Sequence, residues 1–417
     1  MPTVAYIANQ FPSPVEPYIV EEIRELHKRG VEVVMCSGRR AEIMALSPDL
    51  FRLAADTVCL QPLRPWLLLR AGWLCVLKFS LLMDLLQRMF LRGTEPPLRR
   101  VRALLHTGIG AYYALLLKGR GVGHIHAHHG YFASWVATVA ARLLRIDFSM
   151  TLHGSDLLLH GAYLDTKLAH CSFCFTVSEY NRRYILDHYP TIDPGKIILQ
   201  RIGVDPLCSV APLIHRRTSG GCLVLLAVGR LHRVKDHAFL VQACALLKAN
   251  GVSFLCLIVG DGPERKSLEQ LIIDFGLPSE VKLLGYVPRE RLDSYYAISD
   301  LVVLTSRSEG IPLVLMEAMA HGKTVLAPAI TGIPELVLHG ETGFLYRPGS
   351  LEDFVAQVEF IRGADARLQR LQHTARQYVL AYFNRNKNLE LFGDLFLEKI
   401  AAHLEGACRE NLVLQQI

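Results

Sequence analysis

The stretch that decides the fold runs DLVVLTSRSEGIPLVLMEAMA over residues 300–320. Its apolar run Leu301–Leu304 is bounded by Asp and Ser and has the length and branching of a buried strand. Pro312 suits a first helical position, and apolar residues recur after it at helical spacing. The stretch therefore predicts a strand, a tight loop and a helix, with Glu309 in the loop and Glu317 about two turns into the helix.

The predicted helix start at Gly310–Leu313 offers a site for phosphate. Backbone N–H groups without helical partners point at the ligand there, and the helix dipole favours negative charge. The carboxylates of Glu309 and Glu317 would repel phosphate but accept hydrogen bonds from hydroxyls, so the combination suits a ligand with a diphosphate and a sugar. From these residues alone, the alternative remains that Glu309 caps the helix and Glu317 is a solvated helix residue.

Two upstream segments repeat the pattern of strand, glycine turn and helix. The first strand ends at Gly229 and delivers Arg230 and Lys235 before a helix that starts near Asp236. Arg grips phosphate in a planar fork and Lys acts as a point charge, so both would neutralise a departing diphosphate. The second strand leads into the turn Gly-Asp-Gly-Pro, which contains Asp261.

With these motifs, residues 222–362 resemble the large family of retaining glycosyltransferases that carry a Glu-x7-Glu motif on the GT-B architecture. The resemblance implies an α/β fold with two Rossmann-like domains facing across a cleft, and transfer with retention of anomeric configuration. It also implies a catalytic set of His153, Glu309, Arg230 and Lys235. The implied donor-binding residues are Gly229, Arg230, Lys235, Asp261, Tyr286, Val287, Glu309, Gly310, Ile311, Pro312, Leu313 and Glu317.

The first half of the chain predicts the opening of a parallel sheet. A strand over Val4–Ala8, an amphipathic helix over Tyr18–Arg29 and a strand over Val31–Cys36 follow one another. The loop after the first strand lacks the glycines of a dinucleotide fingerprint. It resembles the Phe-Pro-x-x-x-Glu start of polysaccharide-building members of the family, which places Phe11 and Glu16 on the acceptor side.

Four histidines stand close together at positions 124, 126, 128 and 129. In a strand, the first three point to one face. A metal site is a weak alternative, because no carboxylate or cysteine stands beside them in the sequence. The resemblance instead places His126 and His128 on the acceptor side of the cleft, and it places His153, in a Thr-x-His-Gly-x-Asp motif, near the donor sugar.

The predicted domains are 1–210 for the acceptor, 211–382 for the nucleotide-sugar, and 383–417 as helices that cross back to the first domain by resemblance. Residues 212–221 are predicted to form the linker. Scattered cysteines and the absence of a leader pattern favour a reducing cytosol.

The charge excess lies in the first half. The net charge is +6, and residues 61–120 alone hold ten Lys and Arg against two acidic residues. The same stretch contains a leucine-rich helical segment, residues 65–83, with Trp66 and Trp73. Arg70 and Lys78 interrupt it, which disfavours a spanning helix. We expect basic amphipathic helices near 64–118 on the inner face of an anionic membrane; the alternative is an ordinary core helix with cations that extend to water.

The sequence therefore predicts a cytoplasmic, membrane-peripheral glycosyltransferase. Its partners would be a nucleotide-sugar donor and a glycan or lipid-linked acceptor, with no nucleic acid. No cofactor or metal is expected, because cationic side chains would stabilise the leaving diphosphate. An inactive scaffold of a polysaccharide assembly and a GT-B phosphorylase or epimerase remain alternatives, and the sugar, base and acceptor are open.

Overall fold

The computed structural model describes residues 3–13, 16–40, 48–93, 95–159, 161–205 and 221–414. The chain divides into two compact units. The first comprises Met1–Val177, Asn181–Gln200 and Leu389–Ile417, and the second Ser178–Tyr180 and Arg201–Asn388. All of the predicted linker except Gly221 lies outside the described residues.

Within the described residues, the first unit has a seven-stranded parallel sheet in the order β3-β2-β1-β4-β5-β6-β7. Its strands are β1 (Thr3–Gln10), β2 (Val33–Arg39), β3 (Val58–Cys59), β4 (Val122–His128), β5 (Asp147–Leu152), β6 (Cys174–Thr176) and β7 (Ile197–Leu199). The helices along this part of the chain are α1 (Pro17–Lys28), α2 (Pro48–Asp56), α3 (Pro65–Leu77), α4 (Phe79–Phe90), α5 (Pro97–Leu117), α6 (Phe132–Leu144), α7 (Ser155–Leu158), α8 (Leu164–His170) and α9 (Glu179–His188).

The second unit has a six-stranded parallel sheet, again counted over the described part of the chain, in the order β10-β9-β8-β11-β12-β13. Its strands are β8 (Leu223–Val228), β9 (Phe254–Val259), β10 (Val281–Gly285), β11 (Leu301–Val303), β12 (Thr324–Pro328) and β13 (Phe344–Tyr346). The helices along this part of the chain are α10 (His237–Ala249), α11 (Arg265–Asp274), α12 (Arg289–Ile298), α13 (Leu313–Ala320), α14 (Ile333–Leu336), α15 (Leu351–Arg362), α16 (Asp365–Tyr382) and α17 (Arg385–Leu414). From Leu389 onward, α17 belongs to the first unit.

Strand order determines where each unit can bind a ligand. In the first sheet the order reverses between β1 and β4, and in the second between β8 and β11. At such a switch point the two loops that leave the carboxyl ends of the strands diverge and open a crevice. The loop after β1 therefore lies beside the loop after β4, and the loop after β8 beside the loop after β11.

Hydrophobic spacing explains the elements around these loops. In α1, the predicted apolar face of Ile19, Ile23 and Leu26 is fully buried against the sheet. In the second unit the run Leu301–Val303 forms the buried strand β11, as predicted. The doubly wound α/β fold expected from the sequence is confirmed for each unit.

The starts of α13 and β2 differ from the sequence-based predictions. Pro312 is not the first helical residue: its ψ of 117° is extended, so α13 begins at Leu313. Glu317 therefore lies just past the first turn rather than about two turns into the helix. The second strand runs from Val33 to Arg39, two residues later at its start than predicted.

The predicted basic helical segment is two helices rather than one. Helix α3 ends at Leu77 and α4 begins at Phe79, with a bend of 90° between them. No glycine or proline marks this break. Among the described helices, none is by itself both long and apolar enough to cross a membrane, and α3 and α4 meet that measure only as a bent pair.

Candidate active site

The loops after β8 and β11 bring a lysine and a glutamate together in the second unit. The Lys235 ammonium donates to Oε1 of Glu309 over 2.5 Å, and the Ser306 hydroxyl donates to the same oxygen over 2.6 Å. Both charged side chains are largely buried, at 20% and 14% exposure. The predicted site residues of these two loops therefore form one contact, which the strand order explains.

The loop after β12 holds the backbone of Glu309. The Thr331 hydroxyl donates to the Glu309 carbonyl over 2.7 Å and accepts from its N–H over 3.3 Å. A Cβ on Gly332 would lie 2.0 Å from the Gly310 carbonyl oxygen. Only glycine therefore permits this approach, which gives the Thr-Gly pair a positioning role that sequence reasoning missed.

A second close approach joins the loops after β8 and β9. A Cβ on Gly260 would lie 1.9 Å from the carbonyl oxygen of Gly229, and the φ of Gly260 is +138°. In the same turn the exposed Asp261 accepts from the N–H of Gly262 over 2.7 Å. The predicted site residues Gly229 and Asp261 thus build the turn that supports the loop carrying Arg230.

Arg230 is the predicted phosphate-binding arginine of this loop. It is exposed, and within the described part of the chain it has neither an ion pair nor a side-chain hydrogen bond. His237 is buried at the first position of α10 and adds no positive charge near pH 7, because burial and the nearby Lys235 lower its pKa to about 4. The positive charge of this loop therefore comes from Arg230, Lys235 and the exposed Arg233.

Helix α13 presents backbone rather than side chains at its start. Ile311 and Pro312 are buried, and the first backbone bond of the helix runs from the Leu315 N–H to the Pro312 carbonyl over 3.1 Å. The N–H groups of Leu313 and Val314 precede that bond and have no acceptor within the helix. The helix start predicted as a phosphate site is therefore present beside Glu309, and its binding of an anion stays a prediction.

Glu317 is held from a different element. One of its carboxylate oxygens is ion-paired with Arg289 at 2.9 Å, and the other accepts from the Tyr296 hydroxyl over 3.0 Å. Both partners lie on α12. Burial and the Glu317 carboxylate raise the pKa of Tyr296 well above its usual value, so the phenol remains a donor. Because each carboxylate oxygen accepts more than one hydrogen bond, Glu317 can still bind a hydroxyl.

Tyr286 and Val287 follow the end of β10. Tyr286 is 56% exposed and Val287 is half-buried. The Gly260 N–H donates to the carbonyl of Gly285 over 2.8 Å, which ties this strand end to the turn beside Arg230. The structure thus brings both residues to the same edge of the sheet as the other predicted donor-binding residues.

In the first unit, the loops after β1 and β4 meet through Glu16 and His129. The carboxylate of Glu16 lies 2.9 Å from Nε2 of His129, and Asp156 lies 3.6 Å from Nδ1. Burial alone would lower the pKa of His129, but the two carboxylates outweigh it and raise that pKa to about 10. Glu16 therefore positions a cationic histidine.

Asp156 is a fully buried anchor for the turn that carries His153. It accepts from the backbone N–H groups of Gly130, His153 and Gly154 over 2.9, 3.1 and 2.8 Å. Burial would raise the pKa of Asp156, but His129 and these donors hold it well below its usual value. The last residue of the Thr-x-His-Gly-x-Asp motif is thus a structural carboxylate.

A chain of three side chains fixes the orientation of His153. Nε2 of His128 lies 3.0 Å from Glu22, and its Nδ1 lies 3.2 Å from Nε2 of His153. A carboxylate only accepts, so Nε2 of His128 donates to Glu22, and in the tautomer with this single proton Nδ1 accepts from Nε2 of His153. His153 then donates from Nε2. Burial and the neighbouring histidines lower the pKa of His153 well below its usual value, so its Nδ1 carries a lone pair that can accept from a sugar hydroxyl.

Phe11 and His126 do not present themselves to a ligand. Phe11 is 1% exposed within the core around β1. His126 is fully buried, with its ring nitrogens 2.8 Å from the Ser149 hydroxyl and 3.0 Å from the Thr151 hydroxyl. Instead of the expected acceptor-side contact, Phe11 packs in the core and His126 forms hydrogen bonds between β4 and β5.

The expectation that no carboxylate stands beside the histidines is wrong. Glu22, which α1 brings from more than a hundred residues away, offers an oxygen within 4.8 Å of ligand atoms on His126 and His128. Each of those nitrogens already lies within hydrogen-bonding distance of a hydroxyl, a carboxylate or another ring. The group is therefore built as a hydrogen-bond network.

Two protein families have models that match this chain. The model for Glycosyltransferase Family 4 matches residues 15–206, and the model for Glycosyl transferases group 1 matches residues 217–378. WcaL of Salmonella typhimurium, whose name proposes it as a colanic acid biosynthesis glycosyltransferase, is 33% identical over 46% of this chain and 48% of its own. The amylovoran biosynthesis glycosyltransferase AmsK of Erwinia amylovora is 31% identical over 49% of this chain and 51% of its own. The chain thus matches about half the length of these relatives.

Solved structures give the fold over nearly the whole chain. A sucrose-phosphate synthase of Thermosynechococcus elongatus superposes with a TM-score of 0.74 at 20% identity, over 96% of this chain and 100% of its own. Anabaena HepE, solved in complex with UDP-glucose, superposes with a TM-score of 0.66 at 19% identity, over 95% of this chain and 99% of its own. The chain therefore has the GT-B fold, and its first and second parts match the models for Glycosyltransferase Family 4 and Glycosyl transferases group 1, respectively.

Proposed function

We propose that this protein is a retaining glycosyltransferase that moves a sugar from a nucleotide-sugar donor to a glycan or lipid-linked acceptor in cell-surface polysaccharide biosynthesis. The observation that carries the proposal is the Lys235–Glu309 pair beside the free Arg230 and the start of α13. The names of WcaL and AmsK and the UDP-glucose bound to HepE support the same reading.

Each part of this site has a role in such a transfer. Arg230, Lys235 and the α13 N–H groups stabilise negative charge as it develops on the departing diphosphate. Glu309, steadied by Ser306, accepts from the sugar hydroxyls, and Glu317 accepts from the ribose.

Retention fits the absence of an obvious carboxylate nucleophile. Glu309 already holds Lys235, and a carboxylate engaged in this way serves better as a hydrogen-bond acceptor than as an attacking group. In the front-face route that we propose, the leaving phosphate takes the acceptor proton. His153 accepts from a hydroxyl of the donor sugar, and no metal or other cofactor takes part.

A membrane surface is the second part of the proposal. Helices α3 and α5 leave large apolar side chains exposed in a basic stretch, and we name this surface the α3–α5 face. Its acidic neighbours Asp84 and Glu95 are both paired with arginine, so the remaining cations are available to anionic lipid headgroups. We propose a peripheral enzyme on the inner side of the cytoplasmic membrane. The members of the α3–α5 face are Trp66, Leu69, Trp73, Val76, Leu98, Val101 and Leu105.

Co-sedimentation with vesicles that contain anionic lipid tests this surface. Arg70→Glu/Lys78→Glu should release the protein, whereas Lys266→Glu/Arg291→Glu, two exposed cations of the second unit, should not. Arg88 is unsuitable for this test, because it is ion-paired with Glu95 and Asp165 and supports the fold. Equal sedimentation of all three proteins would refute an electrostatic membrane contact.

Thermal stabilisation by UDP, GDP, ADP and their sugars tests the donor site, since a ligand that binds only the folded state raises the melting temperature. One nucleotide should stabilise the wild type and the Arg233→Ala control but not Arg230→Ala/Lys235→Ala. If none stabilises the folded wild type, the scaffold alternative becomes the better account. A phosphorylase would instead consume sugar phosphate, and a bound pyridoxal phosphate would show in the absorbance.

A further inference from the structure

A cavity of about 400 Å³ opens in the first unit between the start of α5, the start of α6 and α8. Its size is that of a small-molecule site. Among the side chains that line it are Arg99, Arg102 and His106 of α5, Tyr131 and Trp135 at the start of α6, and Lys167 of α8. None of the residues assigned a role in the proposed transfer lines this cavity.

The charges around the cavity have one sign. Arg99 and Arg102 are exposed at its wall, and neither has an ion pair or a side-chain hydrogen bond within the described residues. Lys167 is 2% exposed, and its ammonium donates to the carbonyls of Gly130 and Ala162 over 2.6 and 2.7 Å. No described lining residue is acidic. The cavity therefore suits an anionic group.

The rest of the lining is aromatic, and the same helix continues the apolar surface. Tyr131 and Trp135 offer ring faces or edges to the cavity. On α5, the exposed Leu98, Val101 and Leu105 alternate with the two arginines. A ligand that places an anion at Arg99 and Arg102 would thus have apolar surface directly beside it, and this combination fits an amphiphile better than a free ion.

We propose that this cavity binds the phosphate of a lipid-linked acceptor, whose hydrocarbon chain lies along the α3–α5 face. Arg99 and Arg102 match phosphate, because guanidinium groups bind its oxygens in pairs. Lys167, whose pKa burial lowers to about 7, adds a point charge when it is protonated. The inference rests on the proposed function and names the acceptor class: a phosphorylated lipid that carries the sugar to be extended.

A single-tryptophan protein makes the cavity directly observable. The chain has three tryptophans, so Trp66→Phe/Trp73→Phe leaves only Trp135, whose Nε1 donates to the Thr107 hydroxyl over 3.0 Å at the cavity wall. Dodecyl phosphate, titrated below its micelle concentration, should change the Trp135 emission saturably. In the same background Arg99→Ala/Arg102→Ala should weaken this binding at least about 10-fold, as expected for the loss of two charge-assisted contacts.

The matched control is Arg92→Ala/Lys118→Ala, which removes two exposed cations near the ends of α4 and α5 that do not line the cavity. It should bind dodecyl phosphate as the background protein does. Equal weakening by the control would overturn the proposal, because the binding would then follow net charge rather than the cavity.

Further probes separate the ligand classes. Inorganic phosphate that binds as tightly as dodecyl phosphate would refute the lipid-linked acceptor. Dodecyl glucoside is uncharged, so binding as tight as that of dodecyl phosphate would refute recognition of the phosphate group. Tight binding of glucuronate would also refute the proposal, because it would indicate an acidic glycan as the ligand. Stabilisation by nucleotides is measured on the same variants. If Arg99→Ala/Arg102→Ala keeps it but loses dodecyl phosphate, the donor site stands independently of the cavity; if no nucleotide stabilises the background protein, the proposed function fails whatever the cavity binds.

Discussion

Alkaline pH should destabilise the first unit through His129. Its ring lies between Glu16 and Asp156, and these carboxylates overcome burial to raise its pKa from 6.5 to about 10. A group whose pKa is raised by folding stabilises the protein fully below its unfolded pKa and loses that contribution as the pH rises through its folded pKa. The contribution of His129 is therefore largest below about pH 6.5 and declines toward about pH 10.

The size of the effect follows from the shift. One pKa unit corresponds to about 1.4 kcal/mol, and the part of the curve between about pH 7 and about pH 9 amounts to a loss of about 2 kcal/mol in the free energy of unfolding. The His129 side chain is 13% exposed, so solvent screening is limited. For a unit of this size, about 2 kcal/mol corresponds to about 4–8 °C in Tm.

Tryptophan fluorescence is the suitable assay, because all three tryptophans lie in the first unit. The wild type is compared with His129→Asn, since Asn does not titrate and accepts the left-handed φ of 76° at this position. The advantage of the wild type in Tm should shrink by about 4–8 °C between about pH 7 and about pH 9. The Tm difference between the two proteins is compared rather than either Tm alone, because burial lowers the pKa of Lys167 to about 7. Lys167 therefore makes both proteins more stable as the pH rises, which opposes the effect of His129. A Tm difference that stays constant over this range would refute a protonated His129.

Three further outcomes are expected. Gly260→Ala should lower the Tm of the second unit and abolish nucleotide binding, because its Cβ would lie 1.9 Å from a carbonyl oxygen; an unchanged nucleotide Kd would contradict this. Arg289→Ala should raise the KM for the donor about 2- to 5-fold by releasing Glu317, a modest effect because this arginine is 41% exposed. The control Arg291→Ala, at an exposed position, should leave KM unchanged. A KM of Arg289→Ala equal to that of the wild type would show that Arg289 does not position Glu317. Asp156→Ala should lower the free energy of unfolding by about 3 kcal/mol or more, because it leaves three backbone N–H groups without their acceptor. In a urea titration, Asp156→Asn should lower it by less. A larger loss for Asp156→Asn than for Asp156→Ala would refute the role of Asp156 as an anchor of this turn.

Sequence patterns predicted what depends on neighbours along the chain. The strand before Arg230, the helix start after Glu309 and the apolar face of α1 all follow from local spacing, and the structure has them within one or two residues. The break of the leucine-rich segment at Lys78 could not be predicted, because the residues on either side favour a helix equally.

Contacts between distant segments were beyond the sequence. Glu317 receives Arg289 and Tyr296 from a neighbouring helix, and His128 receives Glu22 from α1. Nothing in the spacing of these residues indicates that they meet, because strand order in the sheet decides it. These contacts could have been anticipated by assigning each charged residue without an evident role to the loops at a switch point, where ligands bind.

The buried histidines of β4 also carry information about strand alignment. His126 and His128 stand opposite Ser149 and Thr151 in the β4–β5 ladder, and hydroxyls on β5 satisfy both ring nitrogens of His126. A slip by one residue would turn both imidazoles to the opposite face of the sheet, His126 away from its two hydroxyls and His128 away from Glu22 and His153. An apolar strand would tolerate such an error at little cost, whereas this one would leave several polar groups buried and unsatisfied. The polar ladder thus acts as a check on correct assembly, so misaligned forms of the first sheet should be rare during folding.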